Sequence, residues 1–406
     1  MIEITTRDMA HGGEAVARDD RGKVYFVAGA LPDERIRAVV TADKGSWARA
    51  ELQAVLEPSP LRIAPPCPHF GVCGGCHWQF ADYHAQLQWK EATVAGQLRH
   101  LGRIPDPDVR RIVAPGEPYG YRNRMDFKVV AGKPALHRSR SRDLVPLDEC
   151  LLLAHPLANL FDRLGDLQGV DAVTLRAGLR TGEMLVLLDG EKPDQAGDWD
   201  VTIVERDRRG LRFDGEPYIH EDVAGVRFRI SADAFFQVNT AGADALVRLV
   251  VQALELGPDV VVLDAYSGGG LFSCTAGANA GRVIAVESDE SALRDLRHNS
   301  ERAGVDVRVV PGRFEEVAGD LGEYWTAAIV DPPRTGLGRS GVAAVTAAEP
   351  GAIAYVSCDP ASLGRDANLL AEAGYELDWA RPVDLFPQTF HVETVAVFRR
   401  PARAIA

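Results

Sequence analysis

The stretch from Asp259 to Glu287 constrains the fold more than any other part of the 406-residue chain. Asp259-Val260-Val261-Val262-Leu263-Asp264 reads as a buried strand, Gly268-Gly269-Gly270 as a tight loop, Leu271 to Ala280 as a helix, and Val283-Ile284-Ala285-Val286-Glu287 as a second strand that ends in an acid. Strand, glycine loop, helix and strand make a βαβ unit, the building block of a doubly wound α/β sheet. Glycines in that loop let the backbone approach a ligand, and an acid at the end of the second strand accepts hydrogen bonds from a ribose. Gly268, Gly270 and Glu287 are therefore candidate cofactor residues. The loop alone fits NAD as well as S-adenosylmethionine.

Three later segments separate these cofactors. Cys358 closes the apolar run Ala352-Ile353-Ala354-Tyr355-Val356 at a polar turn, Asp331 closes Ala327-Ala328-Ile329-Val330, and Glu393 interrupts an apolar stretch between Phe390 and Phe398. In open α/β sheets reactive groups collect at the carboxyl ends of the strands, and a thiol is the most readily ionised common nucleophile. Cys358 is thus a candidate nucleophile, although free cysteine often simply packs. Pro332 and Pro333 stiffen the loop after Asp331; the plainer reading of that turn is a strand stop, and of Glu393 an exposed charge. Dehydrogenases have no use for a cysteine and an Asp-Pro-Pro turn on later strands. A methyl transferase needs a substrate-reactive group facing its cofactor, which favours S-adenosylmethionine.

Four of the six cysteines form a second signal. Cys67, Cys73 and Cys76 crowd a glycine-rich loop, and Cys150 follows at a distance. Zinc sites usually present two close pairs, whereas iron–sulfur ligation allows three bunched thiolates and a remote fourth. His69 and His77 are alternative ligands that flank the loop. Disulfides are disfavoured because six cysteines in a chain of this length, without a secretory segment, imply a reducing, cytoplasmic compartment.

At the amino terminus Ile2, Ile4, Val24-Tyr25-Phe26-Val27 and the alternating Ile36, Ala38 and Val40 mark short strands of a small β-barrel, with turn signals such as Gly12-Gly13 between them. Pro58-Ser59-Pro60 and Pro65-Pro66 form a first linker, and residues 82 to 101 read as an amphipathic helix. The composition, 46% hydrophobic, fills cores without any run long enough to span a membrane. A formal charge of −13 is awkward for a nucleic-acid binder, but its distribution matters more. Arg122, Arg124, Lys128, Lys133, Arg138, Arg140 and Arg142 stand against Asp126 alone, and Arg138-Ser139-Arg140-Ser141-Arg142 looks like a strip for phosphates.

Five ordered motifs, Phe235-Phe236-Gln237-Val238-Asn239, Asp264-Ala265-Tyr266-Ser267-Gly268-Gly269-Gly270, Asp331-Pro332-Pro333-Arg334-Thr335-Gly336, Ser357-Cys358-Asp359-Pro360-Ala361-Ser362-Leu363 and His391-Val392-Glu393-Thr394, resemble those of the RNA uridine-5-methyltransferases that use S-adenosylmethionine. The pattern departs at Ser267, where cysteine is usual, and at Leu271, where a polar residue is common. The resemblance implies Cys358 as nucleophile, Glu393 as base, and Gln237, Tyr266, Leu271, Glu287 and Asp331 as lining for cofactor and substrate. It implies a [4Fe–4S] cluster on Cys67, Cys73, Cys76 and Cys150, as in a subset of the family, and methylation of a uridine in 23S rRNA. The first 61 residues resemble a TRAM domain, an OB-like RNA-binding barrel.

The expected architecture is a multidomain α/β chain: a TRAM barrel over residues 1–61, a central α+β domain with the cluster over 62–230, and a Rossmann-like methyltransferase domain over 231–406. The expected protein is a monomer that binds RNA and no membrane. The chemistry calls for a single-stranded or flipped uridine, with Phe235 or Phe236 stacked on its base. The other readings are a tRNA uridine enzyme, an RNA cytosine-5-methyltransferase and a cluster-bearing RNA-binding protein without catalysis.

Overall fold

The computed structural model describes residues 1–207, 210–213 and 216–401. They fall into two bodies. The first comprises Met1–Thr93, Leu136–Val145 and Phe386–His391, and the second Val94–Ala135, Pro146–Leu385 and the chain from Val392 onward.

In the first body, β1 (Ile2–Met9), β2 (Ala15–Arg18), β3 (Val24–Ala28), β4 (Arg35–Asp43) and β5 (Trp47–Glu57) close a barrel in the order β1-β2-β3-β5-β4. The side-chain alternation of a strand sends Ala15, Ala17, Tyr25, Val27, Ile36, Ala38, Ala48 and Ala50 inward. So many alanines keep the lumen narrow enough for five strands to close. The turn before β4 is held by Glu34, which is fully buried and accepts hydrogen bonds from Leu31 N (2.8 Å) and from Arg62 through Nε (2.5 Å) and Nη2 (2.8 Å).

Helix α1 (Tyr83–His100) begins where the Asp82 carboxylate accepts from Ala85 N (3.2 Å). Sequence periodicity marks it as amphipathic, but the buried positions Gln86, Lys90, Val94 and Leu98 mix polar and apolar residues. Within the first body Gln86 Nε2 donates to Gln388 Oε1 (3.1 Å) and Lys90 Nζ to the Phe386 carbonyl (3.0 Å). The polar half of that face is hydrogen-bonded rather than solvated.

The chain then runs through β6 (Arg124–Val130), β7 (Lys133–His137), β8 (Leu144–Pro146), α2 (His155–Arg163), β9 (Val170–Ala177), β10 (Met184–Gly190), β11 (Thr202–Asp207) and β12 (Gly210–Phe213). These strands form a sheet in the order β12-β11-β10-β9-β6-β7-β8. A separate ribbon of β13 (Tyr218–Val223) and β14 (Val226–Ser231) precedes α3 (Thr240–Ala253).

A second large sheet carries the site. Its elements are β15 (Val261–Ala265), α4 (Leu271–Cys274), β16 (Arg282–Glu287), α5 (Glu290–Ala303), β17 (Val307–Pro311), α6 (Phe314–Val317), β18 (Ala327–Val330), α7 (Gly338–Thr346), β19 (Ala352–Ser357), α8 (Pro360–Glu372), β20 (Glu376–Val383) and β21 (Glu393–Arg399). The order is β17-β16-β15-β18-β19-β21-β20. Strands β15 to β19 pair in parallel and are covered by helices, which is why they read as continuous apolar runs. Strand β21 alone is antiparallel to both its neighbours. A multidomain α/β chain with an amino-terminal closed barrel, as expected, is therefore present.

Removing one partner of a buried ion pair leaves the other charge uncompensated, at a cost of roughly 3–5 kcal/mol. Glu34→Ala is expected to destabilise the first body by about 3 kcal/mol, read as an earlier urea unfolding transition. The spectrum of the native baseline should not change.

Candidate active site

Sheet register assembles the site. Val330 pairs with Ala265 on one side and Tyr355 on the other, so Tyr266, Asp331 and Val356 stand at adjacent carboxyl ends. Strand β21 pairs Ser357 with Thr394 and Val356 with Val395, so continuing the register by one step sets Cys358 against Glu393. Because β21 is reversed, its first residue lies at the edge where the parallel strands finish. Cys358 and Glu393, separated in the chain, are brought together by one strand reversal.

 

Local chemistry fixes each loop. Asp359 caps α8 by accepting from Ser362 N (2.7 Å), and Pro360 takes the first helical position, where a missing N–H costs nothing. Cys358 therefore sits just before a helix start. Asp366, buried on α8, accepts from Leu337 N (2.7 Å), Gly338 N (3.1 Å) and the Tyr355 hydroxyl (2.7 Å), which ties down the loop that follows Asp331. Gly336 is required there: its φ is +80°, and a Cβ would lie 2.4 Å from Asp366 Oδ2.

The electrostatics oppose ionisation. Burial, then the Glu393 and Asp331 carboxylates, push the Cys358 thiol up to about 12, with Arg334 opposing. Burial and then Asp331 hold the Glu393 carboxyl well above its ordinary range, again against Arg334. Glu393 is 5% exposed, and its Oε2 has no hydrogen-bond partner among the described residues. Burial and then Asp264 raise Asp331 to about 7. A helix start favours an anion by only about 0.3–1 kcal/mol, too little to reverse these effects. Burial and the neighbouring carboxylates thus disfavour both the Cys358 thiolate and the Glu393 carboxylate.

The glycine loop forms a cradle around Glu287, whose carboxylate accepts from Gly268 N (2.8 Å), Ser288 N (2.6 Å) and Asp289 N (2.7 Å). Gly268 and Gly270 have φ of +54° and +91°, and a Cβ on Gly270 would meet Leu296 Cδ1 at 2.7 Å. Tyr266 adopts φ +62°, a strained conformation for a non-glycine residue, and its hydroxyl donates to Glu315 Oε1 (2.5 Å). Leu271 and Gln237 are buried. The Gln237 carbonyl accepts from Asn123 Nδ2 (3.2 Å). Of the two aromatics before it, Phe236 packs on Phe228 at 5.4 Å, whereas Phe235 is 65% exposed.

Sequence reasoning missed Asp366, Glu315 and Arg176 and read Arg124 only as part of the basic strip; both arginines donate to the Ala234 carbonyl (2.8 Å from Arg124, 2.7 Å from Arg176), one residue before Phe235. Their partners lie tens of residues away, so no local pattern announces them.

Cys67, Cys73 and Cys76 lie in the first body and Cys150 in the second; none is in a disulfide. Burial raises Cys73, the Gly75 N–H lowers it, and Cys67 raises it further. Among the described residues, no group of three or more His, Cys, Asp or Glu side chains is placed to hold a metal ion. Of the basic strip, Arg140 pairs with Glu14 (2.8 Å), while Arg138 and Arg142 are exposed. Arg124 and Lys133 are taken up by Asp126 and Asp148. No described helix is long and apolar enough to cross a membrane.

The tRNA (uracil-5-)-methyltransferase family model matches residues 191–400, and the chain belongs to that family. An uncharacterized RNA methyltransferase of Gloeobacter violaceus is 33% identical over 98% of this chain and 96% of its own length. Another, of Streptomyces avermitilis, is 34% identical over 99% of both. The crystal structure of Pyrococcus abyssi tRNA (uracil-54, C5)-methyltransferase in complex with S-adenosyl-L-homocysteine superposes with a TM-score of 0.79, at 26% identity over 98% of this chain and 99% of that one. The protein is an S-adenosylmethionine-dependent RNA (uracil-5-)-methyltransferase.

With its thiol pushed up to about 12, Cys358 is expected to react with iodoacetamide at pH 8 far more slowly than a free cysteine. Peptide mass mapping of the timed reaction checks this. Alkylation at the rate of an exposed thiol would contradict the electrostatic account.

Proposed function

We propose that the chain methylates carbon 5 of a uridine in 23S ribosomal RNA through a covalent adduct on Cys358. The observation that carries this reading is the register that sets Cys358 against Glu393 at the carboxyl edge of the sheet. After the thiol proton leaves to solvent, the Cys358 thiolate adds to carbon 6 and the displaced π pair makes carbon 5 nucleophilic. Bound S-adenosylmethionine supplies the methyl group at that carbon. Glu393, once ionised, removes the proton from carbon 5; the electron pair re-forms the double bond and expels the thiolate.

Gln237, Tyr266, Gly268, Gly270, Leu271, Glu287 and Asp331 are the proposed lining for cofactor and substrate. The amides converging on Glu287 support a ribose-binding role for that acid. The domain limits proposed are 1–61, 62–230 and 231–406, for a monomer in the cytoplasm. Cys67, Cys73, Cys76 and Cys150 would hold a [4Fe–4S] cluster. Four cysteines outside any disulfide suit such a cluster, as does the Gly75 N–H that donates to Cys73 Sγ (3.4 Å). The cluster would supply structural cross-linking, and no step of the methylation runs through it. The four-cysteine set, by resemblance, supports the ribosomal target. Transfer RNA is the second reading, favoured by the likeness to the Pyrococcus abyssi enzyme.

Mapping 5-methyluridine across total RNA with and without the protein tests the substrate. Loss at one 23S site is expected; loss in transfer RNA would select the second reading.

The two catalytic assignments separate by what each variant accumulates. Glu393→Gln should add to RNA, accept the methyl and stall, giving a labelled protein–RNA band on denaturing electrophoresis. Cys358→Ala should give none. Normal release of methylated RNA by Glu393→Gln would mean that another group is the base.

A further inference from the structure

Helix α5 presents two buried polar side chains that the chemistry of the reaction does not use. Asp295 and Asn299 are four residues apart, so they share one face of the helix, and neither is more than 1% exposed. Asn299 serves two neighbours at once. Its Nδ2 donates to the Gly269 carbonyl in the glycine loop (2.9 Å) and to the Arg229 carbonyl on β14 (3.1 Å), while its Oδ1 accepts from Arg229 N (2.8 Å). Leu296, on the same helix, closes on the loop as well, since a Cβ on Gly270 would lie 2.7 Å from its Cδ1. One carboxamide thus ties the glycine loop to strand β14, from which α3 and β15 separate it in the chain.

From Arg229 the ties continue toward the substrate side. Asp295 accepts from Ser231 N and from Ser231 Oγ, each at 2.7 Å, and its Oδ1 lies 3.3 Å from Arg229 Nε. Arg176, buried, donates to the Ser231 carbonyl (3.3 Å) and, together with Arg124, to the Ala234 carbonyl. Phe235, 65% exposed, and the buried Gln237 follow directly. Buried carbonyl and amide groups cannot turn to water when a partner moves, and leaving one unpaired is costly, so the glycine loop and β14 shift together.

We infer that Asn299 is a positioning residue that links the two substrates of the reaction: a cofactor settled on the glycine loop fixes Gly269, and through Asn299 it fixes β14 and the segment that presents Phe235 and Gln237. The inference rests on the glycine loop being the cofactor site. Coupling of this kind is reciprocal, so cofactor and RNA each tighten the binding of the other, by a factor of roughly 5 to 150 in typical cases. The link acts on binding and leaves methyl and proton transfer to the groups at the carboxyl edge of the sheet.

Hydrogen exchange on the full chain tests the link without RNA. S-adenosylhomocysteine, which has no methyl group to transfer, should slow exchange over residues 266–271 and over residues 228–236 of the wild type, each about tenfold. Asn299→Ala should keep the protection of 266–271 and lose that of 228–236. Ser231→Ala, a milder change that leaves Asn299 and the glycine loop intact, should lose protection beyond residue 231 only, and it decides the matter if Asn299→Ala does not fold. Titration of a fluorescein-labelled transcript of 23S ribosomal RNA onto the Cys358→Ala chain, which forms no adduct, reads the same link as affinity. S-adenosylhomocysteine should tighten that binding about tenfold, and not at all once Asn299→Ala is added. Protection of 228–236 that survives Asn299→Ala, that Ser231→Ala leaves whole, or that the wild type never shows would overturn the inference. Equal loss over both segments in Asn299→Ala, the mark of a merely structural residue, would overturn it too, as would an RNA affinity indifferent to S-adenosylhomocysteine. Linked exchange in a chain that binds no RNA would instead remove the substrate reading and leave the link standing.

Discussion

The reversed strand β21 is the constraint on which the site depends. A parallel strand delivers only its last residues to the carboxyl edge of a sheet, so a catalytic pair drawn from parallel strands must come from two loops. Inserting β21 antiparallel between β19 and β20 brings a strand's first residue to that edge. Glu393 is thereby carried on a strand, paired with Val383 of β20, instead of on a loop. A base that must meet one proton at carbon 5 gains from that rigidity.

Rigidity of this kind brings burial, and burial explains the electrostatics. Glu393, Asp331 and Cys358 crowd one edge, each made harder to ionise by lost water and by a neighbouring carboxylate: Asp331 for Glu393, Asp264 for Asp331, and Glu393 and Asp331 for Cys358. Arg334 is the cation that acts on both Cys358 and Glu393, and it stands in the loop stiffened by Pro332 and Pro333. Burial thus works against a standing thiolate at Cys358. A thiol that ionised freely would be open to oxidation and alkylation between turnovers.

Much of this was legible in the sequence because the relevant signals are local. The apolar runs that end at Asp264, Asp331 and Cys358 name parallel strands and their carboxyl ends, and Gly268 and Gly270 name the loop between strand and helix. Alternation in residues 1–57 announces the barrel. What stayed hidden depends on pairs distant in the chain. Nothing near Asp366 says that it will hold Leu337 and Gly338, and nothing near Arg176 says that it will be buried beneath Ala234. The polar face of α1 is hidden for the same reason, since Gln86 and Lys90 find their partners some three hundred residues later. The resemblance implies Glu393 as base, but nothing local in the sequence says that it begins a reversed strand at the carboxyl edge of the sheet.

Charge follows the same logic of placement. A chain with a formal charge of −13 is repelled by RNA at long range, so binding requires that cations be concentrated where the strand runs. The acids of the second body are largely spent on internal work: Asp359 and Asp289 cap helices, Glu221 and Asp366 hold loops, and Asp295 accepts from Ser231. Arginines there are spent likewise, as Arg124, Arg176 and Arg180 show. Exposed arginines without an ion pair among the described residues occur in both bodies, among them Arg18, Arg138 and Arg142 in the first and Arg103, Arg297 and Arg365 in the second. Net charge therefore says little about the partner of this protein; the distribution of unpaired arginines says more.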